Sequence, residues 1–106
     1  MTATVEALKK DTALHKGLRV LKVLRGHTLN GLSNGQLAQA TGYGASAITR
    51  IMAALIDEGL AEKREDGRFA LSVGMLQIAQ AYALEIDKAQ EKINEMTRRV
   101  AAGARQ

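Results

Sequence analysis

Apolar residues recur in the first quarter of the chain at the spacing of an amphipathic helix. The stripe over 14–25 follows the i, i+4, i+7 pattern, with basic residues elsewhere on the helix surface, and Gly26 is placed to end the helix. The stripe consists of Leu14, Leu18, Leu21 and Leu24. Residues 27–32 contain the pair Asn30-Gly31 and are therefore predicted to form a loop.

Two further helices are predicted on either side of a glycine-containing turn. Ser33 and Gln36 have the spacing of a capping box, so a short helix is expected from there to Thr41. The segment 42–44, Gly-Tyr-Gly, interrupts this helix because glycine adopts positive φ without steric cost. A second stripe then predicts a helix over 46–58, with apolar positions Ile48, Ile51, Met52, Leu55 and Ile56.

The rest of the chain predicts a hairpin and one long helix. The short runs 60–64 and 68–71 are separated by Glu-Asp-Gly, and Asp-Gly between such runs is typical of a β-hairpin. From Met75 to about Ala102 the pattern is helical. A further helix is predicted over 3–11. The expected fold class is therefore mainly α with a small β-hairpin: a winged helix-turn-helix followed by a long C-terminal helix.

Composition and charge narrow the choice of partner. The chain has 106 residues, 46% of them apolar, which suits one domain with a modest core. It carries 15 Lys and Arg against 11 Asp and Glu, and residues 1–26 account for the whole net charge of +4. A basic end favours a polyanion as partner. Aromatic residues make up only 3%, which argues against an RNA-binding face of stacked bases.

The sequence lacks the residues that several kinds of binding site and active site require. The chain has no cysteine, which excludes disulfides and thiolate zinc sites. His15 and His27 are too different in context to suggest a metal pair, and no catalytic or nucleotide-binding motif occurs, so we expect no enzyme, metal or cofactor. No signal peptide is visible and no apolar run approaches the roughly 20 residues of a membrane span. The expected location is the cytoplasm, with no membrane partner.

The segment 34–53 satisfies the packing requirements of a helix-turn-helix. Leu37 is expected between the two helices, and Ala38 has the small side chain that the second helix needs to pass closely over it. Gly42 is expected at the left-handed position of the turn. Thr41 departs from the pattern, because an aliphatic residue is commoner there. The remaining apolar contacts are assigned to Tyr43, Ile48 and Ile51.

Together with the hairpin that follows the helix-turn-helix, the sequence from residue 14 to about 83 resembles the winged helix-turn-helix of the isocitrate-lyase-regulator (IclR) family. The segments that carry the resemblance are Leu-His-Lys-Gly-Leu-Arg-Val-Leu-Lys-Val-Leu at 14–24, Leu-Ala-Gln-Ala-Thr-Gly at 37–42, Ser-Ala-Ile-Thr-Arg-Ile-Met-Ala-Ala-Leu at 46–55, Leu-Ala-Glu-Lys-Arg-Glu-Asp-Gly-Arg-Phe-Ala-Leu at 60–71 and Gly-Met-Leu-Gln-Ile-Ala at 74–79. The resemblance implies a DNA-binding domain, usually dimeric, whose second helix of the motif enters the major groove.

The sequence departs from the family pattern in two places. Family members often have Pro-Lys in the turn before the recognition-helix serine, whereas this chain has Gly44-Ala45 and so lacks one expected phosphate-binding lysine. Family members also usually continue into a large C-terminal ligand-sensing domain, whereas this sequence continues through one more helix. We therefore expect no small-molecule effector.

The candidate DNA contacts lie on the recognition helix, about 45–58, and on the wing, 60–71. Arg50 is the only cation on the outward side of that helix and could donate two hydrogen bonds to a guanine edge, although a phosphate or an acidic neighbour would also satisfy it. Ser33 lies at a helix N-terminus, where it could contact a phosphate or serve only as the helix cap. On the wing, Lys63, Arg64 and Arg68 flank an acidic tip. Their charges suit contact with the DNA backbone or the minor groove. The full set is Ala45, Ser46, Thr49, Arg50, Ser33, Lys16, Arg19, Lys63, Arg64 and Arg68.

The long helix carries a heptad seam that predicts a coiled coil. The a positions are Ala79, Ile86, Ile93 and Val100, and the d positions are Met75, Tyr82, Ala89 and Met96. β-Branched residues at a favour two parallel strands. We expect a homodimer or higher homo-oligomer through Tyr82, Ile86, Ala89, Ile93, Met96 and Val100. The alternative is a monomer whose helix folds back on its own domain.

These features predict three segments and one main function. The segments are a basic N-terminal segment at 1–13, a winged helix-turn-helix domain at 14–73 and a dimerisation helix at 74–106. The predicted function is a dimeric, sequence-specific, double-stranded-DNA-binding transcription regulator, such as a repressor, that acts by occupancy. Two alternatives stay open: an accessory DNA-binding protein of replication, partition or transposition, and a winged domain used only for protein–protein assembly.

Overall fold

The computed structural model describes residues 12–105, and the chain divides into two compact units after Met75. Within residues 12–105, the first unit contains three helices, a two-stranded sheet and the start of a fourth helix, and the second unit consists of the rest of that helix. The helix predicted over 3–11 lies outside the described residues.

The first helix, α1 (Ala13–Leu24), begins at Thr12, whose side chain accepts a hydrogen bond from the His15 amide at 3.2 Å. Its core side is formed by Val20 and Leu24, which are fully buried. Of the predicted leucine stripe, Leu14 and Leu18 instead stay 69% and 48% exposed. The stripe is therefore buried only at its C-terminal end, because that half of the helix supplies the contacts with the core.

The next two helices, α2 (Asn34–Thr41) and α3 (Ala45–Asp57), form the predicted helix-turn-helix. Gly42 between them has φ +81°, which confirms the predicted left-handed turn. The departure at Thr41 has a local explanation: its hydroxyl donates to the Leu37 carbonyl at 2.7 Å and accepts from the Tyr43 amide at 3.2 Å. The threonine thus closes the end of α2 with hydrogen bonds.

The hairpin consists of β1 (Ala61–Lys63) and β2 (Phe69–Leu71), paired antiparallel. Leu32, in the loop after α1, adds a bridge to β2 through two backbone hydrogen bonds of 2.8 Å with Phe69. Gly31 makes this approach feasible, because a Cβ there would lie 2.8 Å from the Phe69 carbonyl oxygen and its φ is +69°. The wing is therefore attached to the loop 27–32 as well as to α3.

One hydrophobic core holds the winged unit together. It brings α1, α2, α3 and the hairpin onto a single cluster, whose buried members are Val20, Leu24, Leu37, Ile48, Met52, Ala61 and Phe69. Burial of such side chains is the main favourable contribution to folding, about 1.5–3 kcal/mol for each large one. The predicted fold class, a winged helix-turn-helix followed by a long helix, is confirmed.

The last helix, α4 (Val73–Ala104), has 32 residues and extends about 48 Å at 1.5 Å per residue. It begins two residues before the predicted start and ends two residues after the predicted end. None of its described residues is buried. Its apolar seam is therefore exposed in the single chain, with Ile86 at 52%, Ile93 at 58% and Val100 at 66% exposure.

Candidate nucleic-acid interface

The outward face of α3 is the central feature of the candidate interface. Ile48 and Met52 fix the helix on the core, and this leaves the opposite face to solvent. Arg50 is exposed on that face, and its guanidinium forms no hydrogen bond or ion pair with any residue that the structure describes. The predicted contact residues Ala45, Ser46 and Thr49 are also exposed. The structure thus brings these four predicted residues together at the N-terminal half of one helix.

Asn34, the first residue of α2, joins the two helices of the motif. Its side-chain amide donates to the Ala45 carbonyl at 3.2 Å and to the Thr49 hydroxyl at 3.0 Å. The Thr49 hydroxyl in turn donates to the Ala45 carbonyl at 3.0 Å. The hydroxyl of Thr49 therefore has two partners within the protein, and its methyl group is the part left for an apolar contact. The bonds also hold the first turn of α3 against the start of α2.

Ser33 is occupied by helix capping. Its hydroxyl accepts from the Gln36 amide at 3.1 Å, and the Gln36 side chain accepts from the Ser33 amide at 2.9 Å, which confirms the capping box. By contrast, the N-cap residue of α3 is Gly44, and no side chain caps this helix. The first amides of α3 are the ones left without a side-chain partner.

Arg64 on the wing points back to the loop after α1. Its guanidinium donates to the Leu29 carbonyl at 2.5 Å and also to the Thr28 carbonyl, and it pairs with Glu62 at 3.4 Å. The two carbonyl partners, of Leu29 and Thr28, lie 35 and 36 residues earlier in the chain. Arg64, which the sequence predicted as a DNA contact, therefore links the wing to the loop 27–32.

Arg68 forms a second link of the same kind. Its guanidinium donates to the carbonyls of Asn30 at 2.9 Å and Gly31 at 3.3 Å, and to the Gln36 side chain at 2.9 Å. Its backbone amide donates to the Asp66 carboxylate at 3.0 Å. The acidic wing tip is thus partly explained by turn formation, because Asp66 satisfies an amide of the hairpin loop.

Three other predicted basic residues contact aromatic side chains, two of them over the ring and one at the hydroxyl. The Lys63 ammonium lies 5.8 Å from the centre of the Phe69 ring, and the Lys16 ammonium lies 5.6 Å from the centre of the Tyr43 ring. Arg19 donates to the Tyr43 hydroxyl at 3.4 Å. Cation–π contacts leave the ammonium hydrogens free to donate elsewhere. Lys63 and Lys16 therefore remain available to a phosphate in a way that Arg64 and Arg68 do not.

The IclR helix-turn-helix domain family matches residues 13–65, half of the 106 residues of the chain. The chain belongs to this family. The IclR helix-turn-helix is a DNA-binding domain of transcription regulators and not an enzyme. This chain has Gly44-Ala45 at the turn where IclR family members often have Pro-Lys. In the structure, α3 starts there without a side-chain cap.

Solved structures agree with the family assignment. The chain is similar to an IclR family transcriptional regulator from Brucella abortus, with 29% sequence identity and a TM-score of 0.59, over 67% of this chain and 27% of that one. It is also similar to MepR from S. aureus, in a structure bound to ethidium bromide, with 15% identity and a TM-score of 0.51, over 91% and 77% of the two chains. The second likeness shows the fold alone. No curated protein matches the sequence.

The IclR pattern in the sequence did not reveal the role of Asn34. Its position just after the Ser33 cap is typical of an ordinary first helical residue, whereas its partners lie 11 and 15 residues away on α3. Nothing in the spacing of the sequence indicates those partners. By the same reasoning, the carbonyl partners of Arg64 and Arg68 could be found only from the folded wing.

Between residues 12 and 105, no group of three or more His, Asp or Glu side chains is placed to hold a metal ion. No helix in the same range is both long and apolar enough to cross a membrane. The exposed face of α3 with the surrounding basic residues and the exposed seam of α4 are the features on which the functional proposals rest.

We expect Arg68→Gln to loosen the attachment of the wing to the loop 27–32. Three hydrogen bonds from the guanidinium are lost, and their partial exposure limits the cost to about 1 kcal/mol. Hydrogen exchange at the amides of Leu32 and Phe69 should therefore become about fivefold faster. The matched control is Arg98→Gln on α4, which removes the same charge. Equal exchange in the Arg68 and Arg98 variants would show that Arg68 does not hold the wing.

Proposed function

We propose that this protein is a sequence-specific, double-stranded-DNA-binding transcription regulator whose α3 lies in the major groove. The observation that supports this most directly is the exposed face of α3, where Arg50 has no intramolecular partner among the described residues. A bidentate arginine is the commonest side chain for reading guanine, since its two parallel N–H groups match the O6 and N7 acceptors. Membership of a DNA-binding domain family supports the same proposal.

The phosphate contacts are proposed to come from groups that still have free hydrogen-bond donors. The uncapped start of α3 at Ala45 and Ser46 presents backbone amides to a phosphate, as helix N-termini do. Lys63 on the wing and Lys16 on α1 supply charge with free ammonium hydrogens. Arg19 is a further candidate, because its one bond to Tyr43 is long at 3.4 Å.

Arg64 and Arg68 are proposed to support DNA binding through the position of the wing. Their guanidinium groups already donate to carbonyls of residues 28–31. A phosphate would have to compete with those acceptors. The wing is therefore expected to reach the DNA backbone or minor groove with Lys63, and the two arginines hold it at the required distance from α3.

The second unit is proposed to bring two copies of the chain together. Tyr82, Ile86, Ala89, Ile93, Met96 and Val100 form one exposed stripe on α4. Such a stripe exposed to water is unfavourable, because each large apolar side chain gains about 1.5–3 kcal/mol from burial. The proposed roles are thus DNA binding for residues 14–73 and self-association for residues 74–106.

Salt dependence of binding tests the DNA-binding proposal. A duplex obtained by binding-site selection should bind the full chain with an affinity that falls linearly in a plot of log affinity against log salt. With about three to five phosphate contacts per copy, the slope should be about −2.7 to −4.5 per copy. The measurement is a fluorescence anisotropy titration of the labelled duplex at four salt concentrations.

Two outcomes would contradict the proposal. If no sequence is enriched by selection, the protein does not read bases. If the affinity does not change with salt, phosphates are not contacted, and the winged unit serves protein–protein assembly instead.

A further inference from the structure

We infer that the partner of α4 is a second copy of α4 in the antiparallel orientation and in one defined register. The inference rests on the proposed self-association and is independent of DNA binding. Its starting point is that the seam residues of α4 are exposed in the single chain, with Tyr82 at 66% and Met96 at 62% exposure. The β-branched a positions taken alone favour a parallel pair, but the sizes of the facing seam residues and the charges beside them favour the antiparallel one.

The sizes of the seam residues favour antiparallel packing. In a parallel pair each seam residue meets its own copy, so Ala79 would face Ala79 and Ala89 would face Ala89, which leaves gaps in two layers. In an antiparallel pair a positions face d positions of the other copy. With the helices fully overlapped, every alanine then meets a larger residue. The layers are Ala79 with Met96, Ile86 with Ala89, Ile93 with Tyr82, and Val100 with Met75, each occurring twice.

The charges beside the seam agree with the same arrangement. The g positions of α4 include Glu85, Lys92 and Arg99, whereas the e positions carry no charge: they include Ala83, Gln90 and Thr97. A parallel pair brings g against e and therefore forms no ion pair along the seam. An antiparallel pair brings g against g, and the fully overlapped register places Glu85 of each copy beside Lys92 of the other.

Neighbouring antiparallel registers are disfavoured by like charges. A shift of one heptad in one direction brings Glu85 opposite Glu85. A shift in the other direction places Glu85 opposite Arg99 but also brings Lys92 opposite Lys92. In the fully overlapped register no like charges meet. Arg99 then lies over Ile78 of the second copy, which is 58% exposed in the single chain and can be covered by the apolar stem of the arginine.

Cysteine pairing distinguishes the two orientations, because the natural chain contains no cysteine. The full-length variants Ala79→Cys and Met96→Cys are oxidised singly and after mixing, and the disulfide-linked species are identified by mass. The antiparallel pair places Ala79 level with Met96 and leaves the two copies of Ala79 about 25 Å apart. We therefore expect at least tenfold more linked dimer from the mixture than from either variant alone.

A control for chance collisions uses Ala81→Cys and Asn94→Cys. These two positions lie at the same level in the proposed register but on the outer faces of the helices, so their mixture should give no linked dimer above background. Linked dimers from Ala79→Cys alone and from Met96→Cys alone would show a parallel pair and overturn the inference. Absence of any linked dimer, together with a monomer mass by light scattering, would overturn it as well.

Charge reversal provides a second test that needs no cross-link. Glu85→Lys and Lys92→Glu each turn two opposite-charge pairs of the dimer into two like-charge pairs, so each variant alone should raise the dimer dissociation constant about tenfold. An equimolar mixture of the two variants restores both pairs and should dimerise as the natural chain does. Lys88→Glu, on the outer face, is the matched control.

Dimerisation of the equimolar mixture is the decisive measurement in this test. If mixing the two charge variants fails to restore association, the Glu85–Lys92 register is wrong. Both tests are made without DNA, so they remain valid if the DNA-binding proposal fails, and a protein that binds DNA through α3 could still give a negative result here.

Discussion

Arg50→Ala is expected to lower the affinity of the protein for its selected duplex by about fivefold to 150-fold per site. This range corresponds to the about 1–3 kcal/mol that one bidentate contact with a base contributes to discrimination. Affinity for an unrelated duplex should fall much less, because non-specific binding depends on the number of phosphate contacts. The measurement is a pair of anisotropy titrations, one with each duplex.

The expected effect of Arg50→Ala on stability is small. Arg50 is exposed and has no polar partner among residues 12–105, so its removal breaks no intramolecular bond within that part of the chain. Alanine is also the best helix former, so α3 should be retained. Loss of affinity can therefore be attributed to the missing contact.

The matched control for Arg50 is Arg98→Ala. This variant removes one positive charge from α4 and should change both affinities by the same small factor. Equal discrimination between the two duplexes in Arg50→Ala and the natural chain would show that Arg50 does not read a base. The major-groove role proposed for α3 would then lose its principal residue.

The largest expected effect on stability is that of Leu37→Ala. Leu37 is fully buried between the helices of the motif, and truncation leaves a cavity where α2, α3 and α1 meet. Such substitutions cost about 2–5 kcal/mol. Since a small domain is stabilised by only about 5–15 kcal/mol in total, the substitution should remove a large share of the stability of the winged unit. A urea titration followed by the methyl resonances of Ile48 and Met52 measures the change.

Leu29→Ala serves as the control for Leu37→Ala, because it is the same chemical change at a side chain that is 91% exposed. Surface substitutions of this kind change the free energy of unfolding by about 0.5 kcal/mol or less. Similar urea midpoints for the two variants would contradict the assignment of Leu37 to the core.

The predicted elements that were confirmed depend on interactions within a few residues. The Ser33–Gln36 capping box, the left-handed Gly42 and the Asp66-Gly67 turn each involve partners no more than four residues apart. Such short-range geometry follows from residue type and spacing. The order of helices and strands could therefore be predicted from the sequence.

The burial of α1 was predicted less well. Its four leucines follow the helical period, but the core is contacted by Val20 and Leu24, while Leu14 and Leu18 remain exposed. Periodicity indicates which residues share a face and does not indicate how far along the helix its neighbours extend. The extent of the contact depends on where α2, α3 and the hairpin lie.

The sequence by itself determined the winged helix-turn-helix, its family, the exposed face that carries Arg50 and the seam of α4, because helical period, caps and turns are local properties. Only the tertiary structure decided which distant partners the polar side chains bind. It directed Arg64 and Arg68 to the loop 27–32 and Asn34 to Thr49. These side chains are long or bridge two helices, so their partners depend on the distance between elements that are remote in sequence.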